Sequence, residues 1–316
     1  MTVEEFINRW KQENPQEIYD NKVSDGLLNG VFSVSKTRKV RFSRGNLQFN
    51  AVEGSHATAD KNVLKGTWRF AEHQIDVIGT NNANIAPDYQ GWIDLFGWGT
   101  SGWYFGSYNK MDPWLKDQGD TYYILGRNPH NNMFGEYANG DWGVYNAISN
   151  GGNKPGLWRT LTSEEWLYLF SNHRWTLAKA NGNFCALLFP DNFISPEGMT
   201  IVNLVLNGTS AEFEKTRYET NIYSNEQIQK LENLGVVVLP FGGCRDGSAF
   251  TFYGEYWSAS VCGYNAFYVF MNYDTVSTVC SSGRHYGMSV RLVQDVKPEK
   301  KKGKGASSSK SESSKR

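Results

Sequence analysis

Thiols, imidazoles and carboxylates are the side chains of this chain that could do covalent or metal chemistry, and their spacing supports neither. Cys185, Cys244, Cys262 and Cys280 show no metal-ligand spacing and are too sparse for a disulfide framework. Free thiols are expected, with a Cys262–Cys280 bridge as the alternative in an oxidising compartment. His56, His73, His130, His173 and His285 include no paired ligand spacing. Asp112, Asp117 and Asp120 come nearest to an acidic calcium loop and read as loop caps. No Gly-rich phosphate loop precedes a helix. No cofactor and no metal are expected. The chemistry these residues favour is recognition. Tyr offers a large, stiff contact area, and Ser, Gly and Asn offer adaptable hydrogen bonds. Such residues fill the run from Val261 to Tyr286. The expected contact set is Val261, Cys262, Gly263, Tyr264, Asn265, Tyr268, Asn272, Tyr273, Asp274, Thr275, Ser277, Thr278, Val279, Ser281, Ser282, His285 and Tyr286, with Tyr264, Tyr273 and Tyr286 as aromatic anchors.

The same run is marked by what it lacks. From Tyr256 to Val293 there is no Lys, Glu or Gln, although these three types make up roughly one residue in seven of the chain. Short strands and tight loops deplete long charged residues, which is one explanation. Another is genetic. An Asn codon whose adenines are randomised reaches Asn, Tyr, Ser, Asp, Gly, Cys, Val, Thr and His, among others, but never Lys, Glu, Gln, Met or Trp. Val261 to Tyr286 fits that set apart from Met271.

A fixed frame encloses the run: Tyr256-Trp257-Ser258-Ala259-Ser260 before it and Gly287-Met288-Ser289-Val290-Arg291-Leu292-Val293 after it. Trp257, Phe267, Phe270, Val290 and Leu292 are the core candidates. Arg284 and Arg291 are expected to hold the loop base through backbone or carboxylate hydrogen bonds, and Gly287 to supply a turn. Upstream, Val31–Ser35 and Val40–Ser43 alternate apolar and polar residues around Lys36–Lys39 and predict two strands. Trp68-Arg69-Phe70 predicts another, and Ala186–Phe189 and Gly235–Leu239 predict buried strands. Residues 75–153 lack periodicity, but Trp92, Trp98, Trp103, Trp114 and Trp142 predict long ordered loops pinned by indoles.

Capping boxes predict three helix starts, at Thr2–Glu5, Thr162–Glu165 and Ser224–Gln227. The first helix belongs to residues 1–29, an N-terminal helix and linker that either packs on the domain or docks another chain. The other two are short and lie within a domain over 30–293, whose variable segment spans about 257–293. Strands, loops, two short helices and then strands, without βαβ alternation, make an α+β class. Residues 294–316 are expected to be a disordered tail, because from Lys297 on they are basic, rich in Lys and Ser, and carry no apolar residue that could hold them in a fold.

Three segments carry a family resemblance. Pro155–Trp166 resembles the helix entry of formylglycine-generating-enzyme-like domains, Leu239–Gly247 with Gly254–Ser258 resembles their Gly-rich core, and Gly287–Val293 resembles their closing strand. The resemblance implies a C-type-lectin-like fold of antiparallel strands and long ordered loops. Within that superfamily the chain is most similar to the variable proteins of diversity-generating retroelements, which include phage receptor-binding proteins of the major-tropism-determinant type and proteins of gut Bacteroidetes. In that group a Gly-x-Ser-Val-Arg end flanks the diversified segment, as Gly287–Arg291 does here, although here a basic tail follows. The resemblance implies a non-enzymatic, diversified display protein, trimeric in related cases, that binds a bacterial surface protein or glycan.

The formal net charge is zero, which argues against nucleic acid as the main partner. No apolar run approaches a membrane span, and the N-terminus carries no secretory signal, so a virion (phage tail) or the bacterial cytoplasm is expected. Two alternatives belong to other classes. One is a formylglycine-generating-like oxidase using Cys262 and Cys280. The other is an intracellular lectin-like protein with a fixed partner.

Overall fold

The computed structural model describes residues 26–51, 66–84, 89–103, 130–194, 204–205, 210–212, 221–273 and 275–297. The expected N-terminal helix, the tail beyond residue 297, Asp274, Trp114, His56 and the Asp112, Asp117 and Asp120 group lie outside them. The protein is mixed α and β, and its sheets are largely antiparallel.

Two of the predicted capping boxes open helices where expected. Thr162 accepts from the Glu165 amide, and the Glu165 carboxylate returns to the Thr162 amide, at the start of a helix over Ser163–Asn172. Trp166, Leu169 and Phe170 then fall on one face and are buried. Ser224 and Gln227 do the same for Asn225–Asn233, which ends before Gly235 at a φ of 84°. The sequence reading did not find a short helix at Trp142–Tyr145 or the 3₁₀ turns at Gly79–Ala83 and Gly135–Gly140.

The predicted strands form as Phe32–Ser33, Lys39–Phe42, Gly66–Phe70 and Val237–Pro240. The last pairs with Asn183–Leu188, which is itself joined to Arg174–Ala180 by the Asn181-Gly182 turn. Both turn residues have positive φ, 48° and 81°, the geometry that matches strand twist and favours Asn-Gly. The closing strand runs Leu292–Asp295, two residues beyond the expected boundary at Val293. It lies between Lys39–Phe42 and Arg159–Thr160, so the two ends of the domain meet in one sheet. At the other end, Leu27 bridges Ser43.

A further antiparallel sheet carries the C-terminal run. Its strands are Gly254–Cys262, Asn265–Met271 and Thr275–Gly283, with Ser210–Glu212 at the edge. Residues 254–260 of the first strand are buried throughout. Successive side chains point to opposite faces. Trp257 therefore joins one core with Trp68, Phe96, Trp98, Trp142 and Val290, while Tyr256 joins another with Phe42, Trp166, Trp175 and Met271. A strand buried on both faces cannot slip register without exposing one whole set.

Of the indoles expected to pin the irregular segments, Trp98 and Trp142 are fully buried and hydrogen-bonded, Trp92 and Trp103 are half-buried, and Trp158 and Trp257 add to them. Trp98 donates to the Ser258 carbonyl (2.8 Å), Trp257 to the Phe96 carbonyl (2.7 Å) and Trp158 to the Gly151 carbonyl (2.7 Å). Each bond ties a buried indole to the backbone of a segment distant or irregular in the chain. Arg159 ties the helix entry to the closing strand: it forms paired bonds to Glu165 (2.7 and 2.9 Å) and to Asp295 (2.7 and 2.9 Å).

Asp141 makes a comparable tie. Its carboxylate accepts from the Thr160 amide (2.6 Å) and the Gly143 amide (3.0 Å). Burial pushes its carboxyl from 3.8 up to about 6, against the opposing pull of those amides and of Arg159. With the folded value above the unfolded one, the fold favours the protonated acid. That contribution is present below the ordinary Asp range and is lost as pH rises through about 6. Between pH 4 and 7 the wild-type protein is expected to lose up to about 3 kcal/mol relative to Asp141→Asn, from two pH units at about 1.4 kcal/mol each. Urea melts of both proteins across that range check this. Parallel profiles would exclude it.

Candidate recognition surface

The run Val261–Tyr286 forms the middle and third strands of the C-terminal sheet and their turns. The first turn holds Cys262, Gly263 and Tyr264. Gly263 has a φ of 60°, and Tyr264 at the tip is 65% exposed. Arg284 holds this turn from below. It donates to the Gly263 carbonyl (3.0 Å), lies 4.7 Å from the Trp98 ring centroid, and its own carbonyl accepts from the Trp98 amide. Burial pulls its guanidinium down to about 10, which leaves it charged at neutral pH.

Of the expected contact set, Cys262, Gly263, Tyr264, Tyr273, Val279 and Ser281 are exposed. Val261, Asn265, Tyr268, Asn272, Thr275, Ser277, Ser282 and Tyr286 are half-buried. Two members are corrected. Thr278, at 3% exposure, lies beside a register shift that sets Phe270 opposite Ser277 and Tyr268 opposite Cys280. It follows the buried Val276 by two residues and so shares its inward face, while Val279 points out. His285, at 8%, is tucked against Tyr286, with ring centroids 4.4 Å apart, and lies 3.6 Å from the Asp246 carboxylate.

Two of the core candidates are also corrected. Phe267 and Phe270 are half-buried, because Ala266, Val269 and Met271 fill the inward positions of that strand. Gly287 does not make a positive-φ turn. It bridges Arg245, and a Cβ there would meet the Arg245 Nε at 2.9 Å, so it supplies room. Arg291 bonds the side chains of Asn46 and Gln74 rather than backbone or carboxylate. Trp257, Val290 and Leu292 are fully buried.

The anchors do not all converge. Tyr264 and Tyr273 cap opposite ends of the middle strand, roughly 30 Å apart at ~3.3 Å per residue. Tyr286 instead joins the core face of the sheet near Val261 and Tyr268. Sequence reasoning missed the neighbouring hairpin, Cys244–Asp246 with Ala249–Thr251. Phe252 beyond it is exposed, and Tyr253 lies 5.4 Å from Phe270, which extends the aromatic surface beyond the run. The signal was present in Phe250-Thr251-Phe252-Tyr253, where three aromatics in four residues after an Asp-Gly turn cannot all face inward.

The groups that could react are held apart. Cys262 pairs with Asn265, and Cys280 pairs with Tyr268 on the far strand. These thiols are roughly 14 Å apart at ~3.3 Å per residue and ~4.8 Å per strand, well beyond disulfide reach. All four cysteines are free. Cys244 is buried, and desolvation together with the neighbouring Glu255 carboxylate pushes its thiol well above the ordinary range, away from the nucleophilic thiolate. Ser33, His173 and Asp191 do meet, but the Ser33 hydroxyl donates to Asp191 (2.8 Å), while His173 Nε2 lies 2.7 Å from the Ser33 carbonyl oxygen. The imidazole is not aimed at the hydroxyl, so the trio ties strands together rather than forming a nucleophile and base. Among the described residues no group of three or more His, Cys, Asp or Glu is placed to hold a metal ion. No helix among them is long and apolar enough to cross a membrane.

No family model, curated protein or solved structure matches the chain.

Proposed function

We propose that the protein is a non-enzymatic display protein of C-type-lectin-like fold, a diversity-generating-retroelement target whose C-terminal sheet binds a bacterial surface protein or glycan. The observation that carries this reading is the division of labour within one sheet. The first strand is buried on both faces and held by Trp98, Trp257 and the closing segment. The third strand presents short side chains such as Ser277, Val279 and Ser281 on that backbone, and the middle strand presents Asn265, Phe267, Tyr268 and Phe270. A platform held from below lowers the ordering cost of binding while its side chains change. The antiparallel meeting of Lys39–Phe42 with Leu292–Asp295 supports the lectin-like assignment. Virion display, on a phage or prophage tail and in trimers, would multiply weak single contacts.

Two measurements test the proposal. In sibling strains, coding differences are expected to cluster in Asn-derived codons between Val261 and Tyr286, beside a reverse-transcriptase gene and a template repeat. Scattered, mostly synonymous differences would exclude active diversification. At the protein level, Tyr264→Ser, Val279→Asn and Ser281→Asp are each expected to change unfolding free energy by no more than about 0.5 kcal/mol, as surface positions do. A loss of about 2 kcal/mol at any of them would show that the surface is structural.

A further inference from the structure

The formal net charge of zero conceals a separation of charge along the chain. Residues 297–316 carry eight Lys or Arg against two Glu, a net of +6, whereas residues 1–296 carry twenty-four against thirty, a net of −6. Lys300-Lys301-Lys302-Gly303-Lys304 is the densest basic run, and no side chain from 297 to 316 is large and apolar. Like charges gathered in one stretch repel one another until counter-ions or an anionic partner neutralise them.

The fold adds cations at the point where this segment leaves it. The Val296 amide donates to the Lys39 carbonyl (2.9 Å), so Lys297 emerges beside the turn Lys36-Thr37-Arg38-Lys39. That turn has a defined shape. The Ser35 hydroxyl accepts from the amides of Thr37 (3.2 Å) and Arg38 (3.0 Å), and the Val34 amide donates to the Arg38 carbonyl (2.9 Å). Lys36, Arg38, Lys39 and Lys297 are all exposed. Arg38 is taken up by Glu165 and Asp295, and Lys39 by Asp191. Lys36 and Lys297 have no such partner among the described residues. This root belongs to the sheet that holds Lys39–Phe42 and Leu292–Asp295, not to the sheet that carries Val261–Tyr286.

We propose that the Lys36–Lys39 turn and residues 297–316 together bind the phosphodiester backbone of nucleic acid, whatever its base sequence. This is a second partner, apart from the ligand of the C-terminal sheet. A duplex presents one phosphate per ~1.7 Å of its axis under a layer of condensed counter-ions, and their release supplies free energy without a fixed fit. Lysines suit that role as compact point charges, and residues 297–316 hold no aromatic side chain to stack on a base. A membrane of anionic lipid matches less well. Stable anchoring takes an apolar group or lipid chain in addition to a basic patch, and this segment has no large apolar side chain. The inference does not rest on the display reading.

The test uses the full chain and a short, random-sequence DNA duplex, read by fluorescence anisotropy across a salt series. Binding is expected at micromolar protein in low salt, with log K falling against log salt at a slope of about −5, from six net charges at ~0.9 each. That slope is about a thousandfold loss of affinity between 50 and 200 mM salt. Lys300→Gln, Lys301→Gln, Lys302→Gln and Lys304→Gln together are expected to flatten the slope by about 4, and Lys36→Gln alone by about 1. Lys36 is exposed and the other four stand beyond the described fold, so these changes leave the core intact. Duplex RNA and single strands of the same sequence show which nucleic acid is preferred, and binding of any supports the site. No saturable binding at low salt, or a slope shallower than about −2, overturns the proposal. So does saturable binding to phosphatidylglycerol vesicles with none to nucleic acid. An unchanged slope in Lys36→Gln overturns the part assigned to the folded turn. Clustering in sibling genes bears on the display reading alone, so either idea can fail without the other.

Discussion

Trp257→Ala is expected to cost about 3–5 kcal/mol, the usual price of emptying a fully buried aromatic position. Against a total of about 5–15 kcal/mol for a typical domain, this leaves the fold marginal or lost. The indole lies at the centre of the tryptophan-rich core, meets Tyr268 edge-on at 6.0 Å, and donates to the Phe96 carbonyl. Its loss therefore empties space on the strand that supports the candidate recognition surface. Trp257→Phe separates packing from hydrogen bonding. The Phe96 carbonyl also accepts from the Met288 amide, so losing the indole donor is expected to cost only about 1 kcal/mol beyond the change in volume. Guanidinium melts followed by tryptophan fluorescence and by far-ultraviolet circular dichroism would measure both. A Trp257→Ala protein within 1 kcal/mol of wild type would mean that the platform does not depend on this strand.

Arg159→Ala is expected to cost about 2–3 kcal/mol. Removing one partner of a buried pair typically costs about 3–5 kcal/mol. Two features lower the figure here: Asp295 is half exposed, and Arg38 still reaches Glu165 at 3.2 Å. What remains is a buried Glu165 that has lost its paired donors while still capping the helix through the Thr162 amide. The double variant Arg159→Met with Glu165→Gln is expected to recover part of the loss, because the uncompensated charge goes with its partner. Chemical denaturation of the two single variants and the double variant gives the coupling directly. Additive effects would show that the two side chains act independently.

The helices were legible because their signals are local. Thr162, Glu165, Ser224 and Gln227 announce their caps within four residues, and Trp166, Leu169 and Phe170 announce a face. The Asn181-Gly182 hairpin was equally legible and was passed over, although its two strands form the centre of a sheet. The interleaving of distant segments could not be read. Nothing local in Arg159 says that it will meet Asp295, and nothing in Glu255 says that its carboxylate will be buried with Oε2 unpaired. Within the C-terminal run, composition singled out residues on both faces of its strands, because it carries no information on which face each side chain takes. Thr278 stands two residues after the buried Val276 and shares its inward face, so alternation along that strand would have excluded it. Phe267 and Phe270 were assigned inward on size, but the smaller Ala266, Val269 and Met271 took the space.

Chain order gives the closing strand one more consequence. Leu292–Asp295 is synthesised after the C-terminal sheet, yet it sits between strands made near the start and the middle of the chain. A polypeptide cut short anywhere from residue 261 to 286 lacks that central staple, so Lys39–Phe42 and Arg159–Thr160 are left with bare edges. Such a product is expected to be cleared by proteolysis rather than accumulate. A frameshift between residues 261 and 286 is thus expected to lose the closing strand and, with it, the fold.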